Sequence, residues 1–173
     1  GWIAQGNALE DSGSLGQALQ CYETAISLAP ESSHAHLSRG NVLLAQGDAE
    51  QALAAYATAL VHDPDYAPAY YNLGNAQMRL DRAEPALTDY ARAIELNPNF
   101  ADAHLAMGCA LEGLGRFEEA ENCYRRVLEI QPNYAQVFCG LGRVLDELDR
   151  FDEAIVCYER YVALRSDGVD GHC

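Results

Sequence analysis

The chain has 173 residues, with 26 Asp and Glu against 11 Arg and no Lys, for a formal charge of −15. That balance excludes a general nucleic-acid binder, because neutralising phosphates takes clustered cations. The absence of Lys also removes phosphate-loop, Schiff-base and lysine-base chemistry. Apolar residues make up 49% and aromatics 9%, the composition of a folded core and not of a disordered acidic tail. No 18-residue apolar run is present to span a membrane, and no cationic start followed by an apolar stretch marks a secretory signal. Most of the six cysteines fall inside apolar helical patterns, which suits reduced thiols and a cytoplasmic location.

In chain order, the apolar spacing predicts helices near 1–12 and 15–28, 33–46 and 49–62, 67–80 and 83–96, 101–114 and 117–130, and 135–148 and 151–164. Tyr70, Leu73, Gly74 and Gln77 show the i, i+3, i+4, i+7 spacing of a helix face, and so do His104, Met107, Gly108 and Leu111. A second stripe follows each: Ala86, Tyr90, Ala93 and Ile94, then Ala120, Tyr124, Val127 and Leu128. The breaks within pairs carry turn chemistry, as in Gln46-Gly47-Asp48 and Leu114-Gly115-Arg116. The second helix of each of the first four pairs ends at an X-Pro step, where the residue before proline resists helical geometry.

One period organises all of this. Prolines stand at 30, 64, 98 and 132, and glycines at 6, 40, 74, 108 and 142. Alanines occupy 18, 52, 86, 120 and 154, and tyrosines 22, 56, 90, 124 and 158, so four ladders share a spacing of 34. Glycine inside a helix costs up to ~1 kcal/mol against alanine, so its repetition implies a packing gain. The expectation is that glycine and alanine let the two helices of a pair touch backbone to backbone, with the tyrosine filling the gap to the next pair.

The clearest copy reads Tyr70…Leu73-Gly74…Ala86…Tyr90…Ala93…Pro98, which resembles the tetratricopeptide repeat. The match covers residues 1–165, with Gln5 and Arg39 in place of the usual Leu and Ser166 in place of the last proline. The resemblance implies an all-α, right-handed α-solenoid, a superhelix of five stacked antiparallel hairpins whose first helices line a concave groove. It divides 1–166 into repeats of about 1–32, 33–66, 67–100, 101–134 and 135–166, with 167–173 as a flexible tail. Both ends look cut and carry no polar capping helix, so a fragment of a longer protein is the favoured expectation.

Little in the chain suggests catalysis. His34 and His36 point to opposite sides of a helix, while His36 and His104 share a ladder position with Trp2, Tyr70 and Phe138 and are expected to fill a slot in the hairpin. Cys21, Cys123 and Cys157 are equivalent positions, too far apart on stacked helices for a disulfide. Cys109 and Cys139 fall on consecutive first helices, but no CxxC spacing supports a metal site. Cys173 is expected to be the one reactive thiol. Carboxylates cluster near second-helix starts, where they complement the helix dipole. No catalytic residue, cofactor or metal site is therefore expected, and the chain reads as a non-enzyme.

The first helices carry a further ladder: Asn7, Asn41 and Asn75, with Asn72 one turn earlier and Ser38 equivalent to it in the preceding copy. An amide both donates and accepts, so it can pair with the backbone of an extended peptide of any sequence. Tyr71, Arg79 and Asp102 lie nearby as candidates for specificity. Family members that clamp acidic chaperone tails place Lys or Arg where this chain has Ile3, Leu37, Tyr71, Leu105 and Cys139, so such tails are excluded. Acids outnumber bases among the groove candidates (Glu10, Asp11, Asp102, Glu112, Asp146 and Glu147 against Arg79 and Arg143), and an apolar, neutral-to-basic protein or peptide partner is expected. Alternatives are a substrate-adaptor region of a larger enzyme, for example a glycosyltransferase, and a scaffold that self-associates through its ends. The glycosyltransferase analogy rests on Asn72 alone, because that family's asparagine ladder falls at Ala4, Ser38, Asn72, Ala106 and Gly140.

Overall fold

The computed structural model describes residues 1–166, and the expected tail, with Cys173, lies outside them. Ten helices follow one another, with no strand among the described residues. They are α1 (Trp2–Asp11), α2 (Leu15–Leu28), α3 (Ser33–Ala45), α4 (Ala49–His62), α5 (Ala67–Arg79), α6 (Ala83–Leu96), α7 (Ala101–Gly113), α8 (Phe117–Ile130), α9 (Ala135–Glu147) and α10 (Phe151–Ser166). Nine of the ten end within one residue of the predicted boundary; α10 runs two further.

Local chemistry accounts for the boundaries. Ala29, Asp63, Asn97 and Gln131 each precede a proline, and each leaves its helix at φ −142°, −139°, −138° and −131°. The pyrrolidine ring forbids helical geometry one residue earlier, so the chain turns there. Within each pair the turn passes through one left-handed residue: Gly13, Gly47, Asp81, Gly115 and Asp149, at φ 77°, 89°, 57°, 73° and 59°. These five are also 34 apart, a ladder hidden in the sequence because aspartate stands in for glycine twice. Asp48 opens α4 by accepting the Gln51 amide at 3.1 Å, an N-cap bond of the usual kind.

The chain divides into two compact units, Gly1–Asn97 and the segment from Pro98 onward. In the first, α1 with α2, α3 with α4, and α5 with α6 form three antiparallel hairpins. Each second helix also packs on the next first helix, α2 on α3 and α4 on α5, while α1, α3 and α5 lie side by side. In the second unit α7 pairs with α8 and α9 with α10; α8 packs on α9, and α7 lies beside α9. This is hairpin stacking of the α-solenoid type.

The core sits where second helices meet first helices. Leu53 and Leu60 of α4 and Leu73 of α5 pack against one buried cluster that includes Ala69 and Ala76 of α5, and Leu19 of α2 packs against the cluster that holds Val42 of α3. The glycine ladder does not serve backbone contact. Beside each of Gly6, Gly40, Gly74, Gly108 and Gly142, the place of a side chain is taken by the ring of Tyr22, Tyr56, Tyr90, Tyr124 or Tyr158 of the same hairpin. The tyrosine thus packs first within its own pair. It reaches the next hairpin as well where small residues permit, as at Gly140, where an added methyl group would stand 3.1 Å from Cζ of Tyr124.

A clasp absent from the sequence reading ties the loop before each of the last three hairpins to its second helix. Arg92 reaches Asp65 at 3.3 Å, Arg126 reaches Asn99 at 2.8 Å, and Arg160 reaches Asn133 at 3.0 Å. The arginines are themselves 34 apart.

Candidate functional site on the first-helix face

The tyrosine ladder sets up the asparagine ladder. Each Asn follows the glycine that makes room for the ring, so the hydroxyl arrives beside the amide. Tyr22, Tyr56 and Tyr90 donate to Oδ1 of Asn7, Asn41 and Asn75 at 2.8, 3.0 and 2.8 Å. Asn72 Nδ2 donates to the same Asn41 Oδ1 at 3.0 Å, bridging α3 and α5. Asn41 Oδ1 thus accepts two hydrogen bonds, from Tyr56 and from Asn72. Burial pushes the Tyr56 hydroxyl well above its ordinary acidity range, with the Glu10 charge adding to it, so it stays protonated and holds the amide.

The other candidate residues of the first unit fall around this row. Tyr71 is half-buried, its ring 6.2 Å from that of Tyr90. Arg79 is exposed in the last turn of α5. Ser38 is buried at 5% exposure, and its side chain bonds Tyr22. Between the start of α1, the end of α2 and the start of α3 opens an apolar pocket of about 560 Å³, whose lining includes Trp2, Ile3, Asn7, Leu28 and His34.

In the second unit the amides are gone but the hydroxyls keep acceptors. Tyr124 lies 2.6 Å from Glu112 Oε2 and 3.4 Å from Cys109 Sγ. Tyr158 donates to Asp146 at 2.7 Å, and burial first, then that carboxylate, pushes its hydroxyl up to about 12. Arg143 forks onto Glu112 at 2.8 and 3.2 Å, with Cys139 Sγ at 3.6 Å from its third nitrogen. Asp102 is exposed in the first turn of α7.

These pairs revise the electrostatics read from composition. Glu10 Oε2, 2.9 Å from the Tyr22 hydroxyl, shares that hydroxyl's one proton with Asn7, and Glu112 and Asp146 accept from Tyr124 and Tyr158, so all three carboxylates are engaged within the protein. Counting acids and bases alone treats them as open to a ligand. The missed signal was spacing: each carboxylate sits 12 residues before its tyrosine.

His36 and His104 place their Nε2 atoms 2.8 and 3.0 Å from the carbonyls of Pro30 and Pro98. Cys21 and Cys157 are buried free thiols, and burial with the Glu119 charge pushes Cys123 up to about 11. Among the described residues no group of three or more His, Cys, Asp or Glu is placed to hold a metal ion, and no helix is long and apolar enough to cross a membrane.

A TPR repeat model matches residues 6–47 and 40–81, and tetratricopeptide repeat models match 67–100 and 99–167. The chain belongs to the tetratricopeptide repeat family. Among solved structures, MamA superposes with a TM-score of 0.86 at 23% identity, over 96% of this chain and 97% of that one. A double mutant of MamA RS-1 gives 0.86 at 19% identity, over 98% and 96%. YrrB, described as a TPR protein with an unusual peptide-binding site, gives 0.77 at 25%, over 96% of this chain and 86% of that one. No curated protein sequence matches the chain. The tetratricopeptide family is one of protein-interaction modules, in general without catalysis, and a protein-binding role follows for this member.

Proposed function

We propose that the chain is a non-catalytic adaptor that holds an extended segment of a partner protein along its first-helix face. The observation that carries this is the amide row Asn7, Asn41 and Asn75, fixed from behind by Tyr22, Tyr56 and Tyr90. A hydroxyl that donates to Oδ1 turns the NH2 group outward, so the row offers donors to the carbonyl oxygens of a peptide. Neighbouring first helices lie about 8–10 Å apart, which meets an extended strand at about every third residue at ~3.3 Å rise. The pocket bounded by Trp2, Ile3 and Leu28 takes an apolar side chain of that segment. Tyr71 and Arg79, with Asn72 bonded to the Asn41 amide and Ser38 to Tyr22, sort among sequences on the first unit, and Asp102 does so on the second. With a net charge of −15, the face favours neutral or basic segments over acidic ones. YrrB, a TPR protein with an unusual peptide-binding site, supports peptide binding as the role.

The test is selection from a library of extended peptides, followed by anisotropy titration of the best binders. An Asn7/Asn41/Asn75→Ala variant with unchanged helicity should lose at least ten-fold in affinity. Equal affinity of the two proteins would move binding off this face.

A further inference from the structure

Surroundings sort the cysteines of the described residues into two groups. Cys21 and Cys157 are buried, and burial keeps Cys123 a neutral thiol. Cys109 is exposed and Cys139 half-buried, and they stand on α7 and α9, the first helices of the second unit. Reactive cysteines are accessible and carry a polar or cationic partner at the sulfur. These two meet both conditions. Arg143 Nη1 lies 3.6 Å from Cys139 Sγ, and the Tyr124 hydroxyl lies 3.4 Å from Cys109 Sγ. Their openness belongs to this side of the first helices: Leu105, the ladder equivalent of Cys139, is half-buried, and so are Asn41 and Asn75, the equivalents of Cys109.

The fold brings the pair together. α7 lies beside α9, and side chains that meet across such a joint are spaced by 31, as Asn41 with Asn72 at 3.0 Å and Glu112 with Arg143 at 2.8 Å. The residue 31 beyond Cys109 is Gly140, next to Cys139. Glycine puts no side chain between the helices there. The Tyr124 hydroxyl shows how close the approach is: it is 3.4 Å from Cys109 Sγ and 3.3 Å from where a methyl group on Gly140 would stand. One turn further on, Arg143 sets two nitrogens on Glu112 of α7 and its third on Cys139 of its own helix. The fork fixes the guanidinium beside the sulfur, where it offers the hydrogen bond that a thiolate takes.

We infer that Cys109 and Cys139 form a dithiol site that a hydroperoxide converts to a disulfide between α7 and α9. Cys139, beside Arg143, attacks first. Its sulfur takes one oxygen of the peroxide as the O–O bond breaks, and the other oxygen leaves with the thiol proton as water or an alcohol. Cys109 then attacks the sulfenic acid: the S–S bond forms, the S–O bond breaks, and hydroxide leaves with the Cys109 proton as water. Two thiols lose two electrons and two protons, and the peroxide gains them.

The experiment treats the full chain with hydrogen peroxide, alkylates remaining thiols with N-ethylmaleimide under native conditions, and maps tryptic peptides by mass. Cys109 falls in 93–116 and Cys139 in 127–143, so a link between them is read directly. The expected product joins these two peptides, is lighter than their sum by two hydrogen atoms, and is separated by dithiothreitol. In Cys109→Ser the reaction should stop at a sulfenic acid on Cys139, trapped by dimedone. In Arg143→Gln the disulfide should form about ten-fold more slowly, while Cys21, Cys123 and Cys157 stay as protected from alkylation as in the wild type. Both thiols free after excess peroxide, or a link from either one to Cys173 instead, would overturn the site. A sulfenic acid on Cys109 in Cys139→Ser, with none on Cys139 in Cys109→Ser, would overturn the order of attack. An unchanged rate in Arg143→Gln would overturn the part given to the guanidinium.

Discussion

The ring of Tyr90 occupies the volume that a side chain on Gly74 would need: a methyl group there would stand 2.5 Å from Cε1 of the tyrosine. The ring cannot retreat, because it is 2% exposed and its hydroxyl is bonded to Asn75. Gly74→Ala should therefore destabilise the first unit by about 1–3 kcal/mol through overpacking. Gly113, the last residue of α7, has nothing within 4 Å of the same position. Gly113→Ala should be neutral or gain up to ~1 kcal/mol from reduced unfolded-state freedom. Urea titration followed at 222 nm reads both. Equal effects would remove the steric role given to the ladder.

The Tyr56–Asn41 bond makes a double-mutant cycle informative. Tyr56→Phe removes one hydrogen bond and should cost ~1 kcal/mol. Asn41→Ala is the harsher change, at about 1–3 kcal/mol, because a hydroxyl on a fully buried ring loses its acceptor and Asn72 loses its bridge to α3. A coupling energy near ~1 kcal/mol is expected. A cycle that closes to zero would mean that the hydroxyl does not orient the amide.

Asp81 and Asp149 sit in the left-handed region at φ 57° and 59°, where Gly13, Gly47 and Gly115 serve the other three turns. Aspartate tolerates that region less well than glycine. Asp81→Gly should raise the melting temperature and Gly47→Ala should lower it, each through ~1 kcal/mol. Thermal melts of the two variants check the sign, and the same sign for both would be inconsistent with these turns.

Asp89 places a carboxyl at the position that Ala55 fills in the preceding hairpin, and burial raises it to about 6. A carboxyl whose folded value exceeds its unfolded value favours folding below the unfolded value and loses that contribution as pH rises through about 6. Asp89→Ala should then stabilise the protein at pH 8, by ~1–2 kcal/mol after allowance for partial exposure. The gain should vanish near pH 4. Melts of both proteins across that range decide it, and a pH-independent difference would assign the effect to packing instead.

Glu121 takes the ladder position of Leu19, Leu53 and Leu87, yet it is only 9% exposed. Arg125 and Arg150 hold it at 2.8 and 2.6 Å, and Arg150 grips Glu153 as well. Removing a partner from a largely buried carboxylate costs more than replacing the whole arrangement with an apolar side chain. Arg150→Ala should lower stability by about 1–3 kcal/mol, whereas Glu121→Leu should change it by less than that or raise it. Chemical denaturation of the two variants gives the comparison, and the reverse order would show the ion pairs to be net stabilising.

The helices were legible because proline and glycine punctuate them at fixed offsets. The family was legible because Gly74, Ala86, Tyr90 and Pro98 constrain one another across a hairpin. What stayed hidden was what each residue is for. Gly74 reads as a small residue at an interface, and only the ring of Tyr90 against it shows that the partner is aromatic. Asn41 reads as a groove amide, and the sequence gives no sign that Tyr56 and Asn72 already hold its oxygen. Asp81 hides the turn ladder because a permissive aspartate performs a glycine's task, and the Arg92–Asp65 clasp is hidden because its partners belong to different elements.

The tyrosine–asparagine bond also bears on how the chain reaches its fold. Each hydroxyl finds its amide only 15 residues away, and each ring finds its glycine 16 away. The loops to be closed are short, so their entropic cost is small and contacts of low sequence separation dominate. Every hairpin can therefore form on its own helix-turn-helix segment before its neighbours are in place. Folding can then nucleate at any hairpin and propagate to its neighbours, and lengthening or shortening the stack by a hairpin changes its stability by one repeat and one interface.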